Sequence, residues 1–488
     1  MTQIDRTIPV PIYYQLKTLV KRQIEEGILK PGDQIPTEEE ICERYGVSRT
    51  PVRQALLELV REGVLNRTAG RGTFVSFHEG KAITLRVVVP DKRWSWLLRD
   101  AASSWNKKHP KEKIELKFDS VSLWDLHDHL SLLVAQGQAP DISVLDSVWV
   151  AEFAHRRYIY PISALDPEWA QEMHDRYFQS ILEANMYQAE QYGFPTNADA
   201  AILWYRRDWF SLEGLEPPKT WEELLSVGRH FCHPEIRARY RLGAYPLAFV
   251  GGQTGGETTT YQLLPFIWSE GGGIIDQDKV ILNSPATHRA LAFLKRLVHQ
   301  EKLVSPEVAR MVWNGAATAF AAGEVAMAFG GTYENFIIQS LTDWDLDTFL
   351  DRIGFVPIPA GSQGTPSTLV GGMTYGIYRQ SRFPAEALAL LKLTLTPQIL
   401  KPFSLRTGQN AAHISVAQAI KSEENGFLEQ AASLFSQGRS RPSLPAYDRV
   451  SRQIQEMVEF CLTGRLEVEA AAARAAERIS GITGYPVL

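Results

Sequence analysis

Two sets of residues in this chain have types and spacing suited to chemistry. In the first, Arg49, Thr50, Arg53 and Gln54 follow Ser48 in one short run, with Arg44, Arg67 and Arg71 near them in sequence. An arginine fork can pair with O6 and N7 of guanine, a contact that discriminates by about 1–3 kcal/mol. The second set pairs aromatic residues with acids or amides. It comprises Asp146 with Trp149, Asn197 and Asp199 before Trp204, Trp268 before Glu270, and Tyr333 with Glu334 after Gly330-Gly331. Rings of this kind accept the C–H faces of a sugar, and Asp, Glu and Asn bind its hydroxyls. The groups recur at turn-like positions, as they would around a cleft with a few convergent polar groups.

Signals for other chemistry are thin. The chain holds no H-E-x-x-H, G-x-S-x-G or paired His/Cys spacing, and none of its glycine-rich breaks leads into Lys-Ser/Thr. GGQTGGE at residues 251–257 lacks G-x-G-x-x-G and reads as a mobile loop. No enzyme, metal site or cofactor is therefore expected. Cys42, Cys232 and Cys461 are odd in number and far apart, as free thiols in a reducing cytoplasm would be. The amino end has no basic run before an apolar one, and no stretch of about 18 apolar residues occurs. The expected location is the cytoplasm, with no membrane partner.

A length of 488 residues calls for two or more cores, and a net charge of -5 means that any nucleic-acid contact must come from a local basic patch. In the first segment Tyr13, Leu16, Val20 and Ile24 recur at helical spacing before Pro31-Gly32. Thr37 and Glu40 have capping-box spacing for a second helix. Ser48 offers an N-cap and Pro51 fits the first turn of a third helix, whose apolar face is Val52, Ala55, Leu56, Leu59 and Val60. Residues 64–67 and 73–75 flank a hairpin with a basic tip. Three helices and a hairpin make a winged helix-turn-helix, which reads DNA with the polar start of its last helix, or else a small helical bundle with a solvated charged face.

This segment resembles the GntR family of bacterial transcription regulators. The resemblance rests on G-x-x-x-P-G-D-x-I-P-T-E at Gly27–Glu38, V-S-R-T-P-V-R-x-A-L at Val47–Leu56 and G-x-G-T-F-V at Gly70–Val75. It implies that Ser48, Arg49, Thr50 and Arg53 approach bases and phosphates, with Pro51 shaping the first turn. Gly70, Arg71 and Gly72 would form a wing tip in the minor groove. Thr37 stands where the family has a phosphate-facing Ser and keeps its hydroxyl. Gln54 replaces the usual Glu and alters what the helix can read.

All 12 tryptophans fall in the remainder, residues 83–488, which is too long for one core and alternates strand-like runs with amphipathic helices. Ile83–Val89, Ile142–Leu145 and Ala326–Phe329 read as strands, and Ala290–His299 as a helix. This segment is similar to bacterial extracellular solute-binding proteins of the maltose-binding class. The similarity lies in residues 139–162, 192–224, 268–294, 320–334 and 370–378. It implies two α/β lobes that close on a small carbohydrate like a hinged clamp. Carried over, the ligand contacts are Asp146, Trp149, Asn197, Asp199, Trp268, Glu270, Tyr333, Glu334, Gly372 and Met373. Trp94, Trp96 and Arg406 are further candidates. The family often has Trp where Tyr333 and Met373 stand, which makes this cleft less aromatic.

The expected molecule is a multidomain, sugar-responsive regulator that binds operator DNA as a homodimer. It has a winged helix over residues 1–77, a linker at 78–82 and a two-lobed α/β sensor over 83–488. An aminotransferase-type regulator needs a Schiff-base lysine in a Ser/Thr-rich context, which Lys302, Lys392 and Lys401 lack. A transport receptor would need an export signal. The spacer His78–Lys81 reaches at most about 13–14 Å when extended, so the wing stays near strand Ile83–Val89. A long Gly/Ser insertion there tests its role by operator binding with and without effector. It is expected to leave sugar and DNA binding intact but uncouple them; an unchanged response would mean that surface contacts or the dimer interface carry the signal instead.

Overall fold

The computed structural model describes residues 4, 6, 11–25, 27–68, 71–76, 82–361 and 364–488. Gly70 and spacer residues 78–81 lie outside them. At the amino end, α1 (Ile12–Glu25) buries Leu16 in a core that Tyr13, Val20 and Ile24 partly cover. The expected capping box opens α2 (Glu38–Tyr45): the Glu40 amide donates to Thr37 Oγ1 (3.2 Å) and the Thr37 amide to Glu40 Oε2 (2.7 Å). Pro51 sits in the first turn of α3 (Arg49–Arg61), which buries Val52, Ala55, Leu56 and Leu59. Ser48 occupies the N-cap position, but its hydroxyl makes no capping bond, so it does not seal the helix as the spacing suggested. β1 (Leu65–Thr68) and β2 (Gly72–Val75) pair antiparallel from Leu65↔Val75 to Thr68↔Gly72, completing a winged helix-turn-helix.

One buried ion cluster fixes the helices of this head. Lys17 on α1 is 7% exposed and pairs with Glu58 (3.1 Å) and Glu62, while Lys21 pairs with Glu62 (2.8 Å). Burial opposes the Lys17 charge, but Glu62 and Glu58 outweigh it and raise its pKa. The cluster binds α1 to the carboxyl-terminal half of α3.

The first lobe begins with β3 (Ile83–Val89), α4 (Lys92–Lys108), β4 (Ile114–Ser120), α5 (Leu123–Ala135) and β5 (Ile142–Asp146). β6 (Asn197–Arg206) crosses to the second lobe, which includes α6 (Glu257–Ser269), β7 (Met327–Gly331) and β8 (Ile353–Pro357). Val370–Gly371 crosses back to β9 (Met373–Ile377), and residues 439–446 lead to α7 (Tyr447–Leu462), which packs in the second lobe's core. The first sheet runs β4-β3-β5-β9 and then Phe194–Pro195, with β3 parallel to β4 and β5. Val87, Val88 and Val89 of β3 are all buried, which explains the apolar run at the end of a strand covered there on both faces. The second sheet runs Leu247–Ala248, β7, β6, β8.

β6 belongs to both lobes. Its start pairs with Asn410–Ala411 and Val370–Gly371, and its end with β7 and β8. Gly372 has φ +150°, and a Cβ there would lie 2.3 Å from the Asn197 carbonyl oxygen, so the two crossings touch backbone to backbone. Residues 251–257, expected as a mobile loop, instead form a packed turn that leads into α6. A Cβ on Gly252 would lie 2.0 Å from the Ala309 carbonyl oxygen.

Glu334 is a buried polar anchor of the second lobe. Its Oε2 accepts from Trp204 Nε1 and the Gly331 amide, both at 3.1 Å, and Trp204 stacks on Phe427. A Cβ on Gly330 would come within 1.8 Å of that oxygen, which accounts for the glycine. Burial pushes the carboxyl from 4.5 up to about 8. The folded protein therefore keeps a proton that the unfolded chain releases. Stability from this group is complete below pH 4.5 and is lost as the pH rises through about 8. Denaturant unfolding across this range should show the decline in the wild type, and a flatter profile in Glu334→Gln.

Candidate DNA-reading surface and ligand cleft

The outer face of α3 forms a groove lined by Arg49, Thr50, Arg53, Gln54, Leu57, Glu58 and Arg61. Ser48, Thr50 and Arg44 are exposed beside it, and Arg71 is exposed at the hairpin, its carbonyl accepting from Gln34 Nε2 (3.2 Å). Acids hold the arginines in place. Arg49 Nη2 donates to Glu39 Oε1 (2.9 Å), and Arg53 Nε and Nη2 both donate to Glu38 Oε2 (3.2 and 3.1 Å). Arg67 of β1 reaches the other oxygen of Glu38 (3.5 Å), so one carboxylate joins the helix to the wing. Thr37 Oγ1 is engaged in its cap with Glu40. Leu57, 45% exposed on the reading face, was not singled out from the sequence. Apolar groups at such a position suit the thymine methyl.

Between the lobes the structure gathers charge around Arg441, on the third crossing and 8% exposed. Its Nη1 donates to Glu257 Oε1 (2.8 Å) at the start of α6, and its Nη2 lies 3.8 Å from Asp146 Oδ1 at the end of β5. Glu257 also accepts from Tyr447 Oη (2.9 Å) and Ser451 Oγ (2.5 Å) on α7. Asp199, on the shared strand β6, accepts from Tyr261 Oη (2.8 Å), and Tyr261 meets Tyr333 edge to face at 5.8 Å. Burial raises Asp199 from 3.8 to about 6, with Tyr261 and Arg441 holding it back. Burial also raises Glu257 against the pull of Arg441. Arg441 is held charged: burial works against it, but Glu257 and Asp146 prevail.

Asn197 Oδ1 accepts from the Met373 amide (2.8 Å), while Met373 faces Asp146 across the β5–β9 ladder. Asn197, Gly372 and Met373 thus sit where the crossings meet and hold Asp146 against Asp199. Trp149 lies in the turn after Asp146, with His127 edge-on at 5.4 Å.

Other candidates are engaged elsewhere. Trp94 is buried in the first lobe's core, where Tyr375 Oη donates to its carbonyl (2.8 Å) and Phe403 packs on it. Trp96 stacks under Arg406 (4.3 Å), which also reaches Asp100 (3.4 Å), so this pair is bound to α4. Glu270 is buried against Arg289 (2.5 Å), and Trp268 lies under Arg439 (4.7 Å). Glu334 is committed to Trp204. Sequence reading missed Arg441, Glu257, Tyr261 and Tyr447, as well as Trp124 of α5. Trp124 faces Trp313 of the second lobe at 5.8 Å, closing one side of the cleft. Glu257 follows the glycine turn, and Arg441 lies in the Pro-rich run RSRPSLP, which marks a crossing but not a ligand group.

Among the described residues no helix is long and apolar enough to cross a membrane, and no group of His, Cys, Asp and Glu is arranged to hold a metal. Lys392 pairs with Asp166 and Lys401 with Glu424 (2.8 Å). Comparison with known proteins separates the two parts of the chain. Residues 12–75 match the family described as bacterial regulatory proteins, gntR family, and residues 86–400 match bacterial extracellular solute-binding protein. Over 73 residues the chain is 52% identical to the HTH-type transcriptional repressor NagR of Bacillus subtilis, covering 15% of this chain and 30% of the repressor. A binding protein of Brucella abortus is 23% identical over 377 residues, covering 76% of this chain and 86% of that protein. Among solved structures, a solute-binding protein of Thermotoga lettingae bound with α-D-tagatose superposes with TM-score 0.70 at 23% identity. That alignment covers 83% of this chain and 100% of the other. The maltose-bound MalE3 of T. maritima superposes at TM-score 0.69 and 22% identity, covering 82% and 100%. The chain belongs to the bacterial extracellular solute-binding protein family, with a GntR-family winged helix-turn-helix at its amino end.

Proposed function

We propose that this protein is a cytoplasmic, homodimeric transcription regulator that binds operator DNA through α3 and the β1–β2 wing and senses a small carbohydrate between its lobes. The observation that carries this reading is the assembly around Arg441. Carboxylates from the first lobe, the shared strand and the second lobe converge there beside Tyr261, Tyr333 and Tyr447. Such groups offer bidentate partners for hydroxyls next to aromatic faces, and only a ligand touching both lobes favours the closed form. The solute-binding relatives named above, bound with tagatose or maltose, support the sugar class. The domain division at residues 78–82 is part of the proposal.

Operator half-sites lie about one helical turn apart, ~34–36 Å, so a small rotation of one head against its partner alters the fit. Coupling of about 1–3 kcal/mol changes operator affinity roughly 5–150-fold. A thermal-shift screen of mono- and oligosaccharides, followed by operator binding with each hit, is expected to find a sugar that moves both melting temperature and DNA affinity. A broad panel that moves neither refutes the carbohydrate reading. For the sugar found, Asp146→Ala should weaken binding about 10–100-fold by calorimetry, the loss of a hydrogen bond to a charged group. DNA affinity without sugar should stay at the wild-type value.

A further inference from the structure

The head is in direct contact with the first lobe. Tyr14 Oη on α1 donates to the carbonyl of Leu165, which follows the turn Ile162–Ala164. Burial raises the Tyr14 phenol, and Asp166 of the lobe adds to the effect. Beside it, burial raises the phenols of both Tyr13 on α1 and Tyr160 of the lobe; Glu58 adds to each, and Lys17 and then Arg379 draw each down, so the two rings share one set of charged neighbours from both sides. Arg379 is fixed from within the lobe: it stacks over Tyr160 (5.1 Å), its Nε donates to the Ile159 carbonyl (3.1 Å) and its amide to that of Tyr158 (2.9 Å).

Each side of this contact leads to one of the two sites. Arg379 lies just beyond β9, whose first residue, Met373, faces Asp146 and bonds Asn197. Six residue steps along an extended strand connect cleft and contact, roughly 20 Å. On the head side, Lys17 is one turn along α1 from Tyr13 and Tyr14, and its ion pairs with Glu58 and Glu62 grip the end of α3. Buried charges of this kind hold a fixed geometry, because separating them leaves an uncompensated charge.

We infer that α1, seated on the first lobe through Tyr14 with Tyr13 and Lys17 beside it, is a docking surface that fixes the recognition helix there and transmits the state of the cleft in place of the spacer. The first lobe and the head then move as one body, and closure swings the second lobe against them. The transmission part rests on the two-site function proposed above; the dock itself does not.

Hydrogen exchange on the full chain, without sugar or DNA, tests the dock. Tyr14→Ala and, from the lobe side, Arg379→Ala should speed exchange at least severalfold in residues 11–17 and 160–166 and leave β6 unchanged. Arg379→Ala cannot act by unfolding the head. A long Gly/Ser insertion between residues 79 and 80 should leave both segments as protected as in the wild type. Loss of protection on insertion alone, or no change in either variant, overturns the dock. With a sugar from the screen, the ratio of operator affinities with and without it should persist in the insertion chain and fall to within twofold of unity in both variants. A persisting ratio in the variants overturns the transmission. If no sugar shifts the melting temperature, the function reading fails while the exchange result still decides the dock.

Discussion

A guanidinium removed from water cannot be left unpaired, and the arrangement of the two lobes follows from how Arg441 meets that demand. It stands on a crossing segment, and its partners come from β5 of one lobe and the first turn of α6 in the other. The lobes can therefore satisfy it together only when they approach each other. Glu257 is in turn held by Tyr447 and Ser451 of α7, so the requirement spreads into the core of the second lobe. Backbone contact between Gly372 and Asn197 keeps the crossings close enough for this to hold.

The head obeys a similar rule on a smaller scale. Lys17 and Lys21 gather Glu58 and Glu62 beneath the recognition helix, which makes α1 both a structural brace and the face turned toward the first lobe. At that boundary a phenol hydroxyl donated to a backbone carbonyl supplies direction as well as contact, and the guanidinium stacked on Tyr160 keeps the lobe's side of it in place.

Much of this was legible in the sequence where local rules decide the outcome. The capping box at Thr37 and Glu40, the apolar face from Val52 to Leu59 and the strand Ile83–Val89 form as their spacing implies. Ser48 shows the limit of a local rule, since its position is right and its hydroxyl bond is absent. The cleft was half legible. Asp146 ends β5 and Asp199 follows Asn197 near the start of β6, and the residue types around them show in the chain. Arg441, nearly 250 residues beyond Asp199, meets it only through the crossings, and no local pattern marks that. Trp94, Trp268 and Glu334 carry the residue types of a sugar site but serve packing, because an aromatic next to an acid also suits a buried hydrogen bond such as Trp204 to Glu334.

Glu38, which holds Arg53 of the reading helix and Arg67 of the wing at once, has a consequence for how the head meets DNA. One carboxylate shared by two guanidiniums cancels only one of their two charges, so the field outside this face is weaker than the number of arginines implies but stays positive. Binding becomes an exchange of one partner for another, and exposed pairs of this kind are worth only about 0–1 kcal/mol. The acid beneath the arginines is thus a built-in competitor on the face proposed to read DNA, one that an incoming phosphate or base edge has to displace.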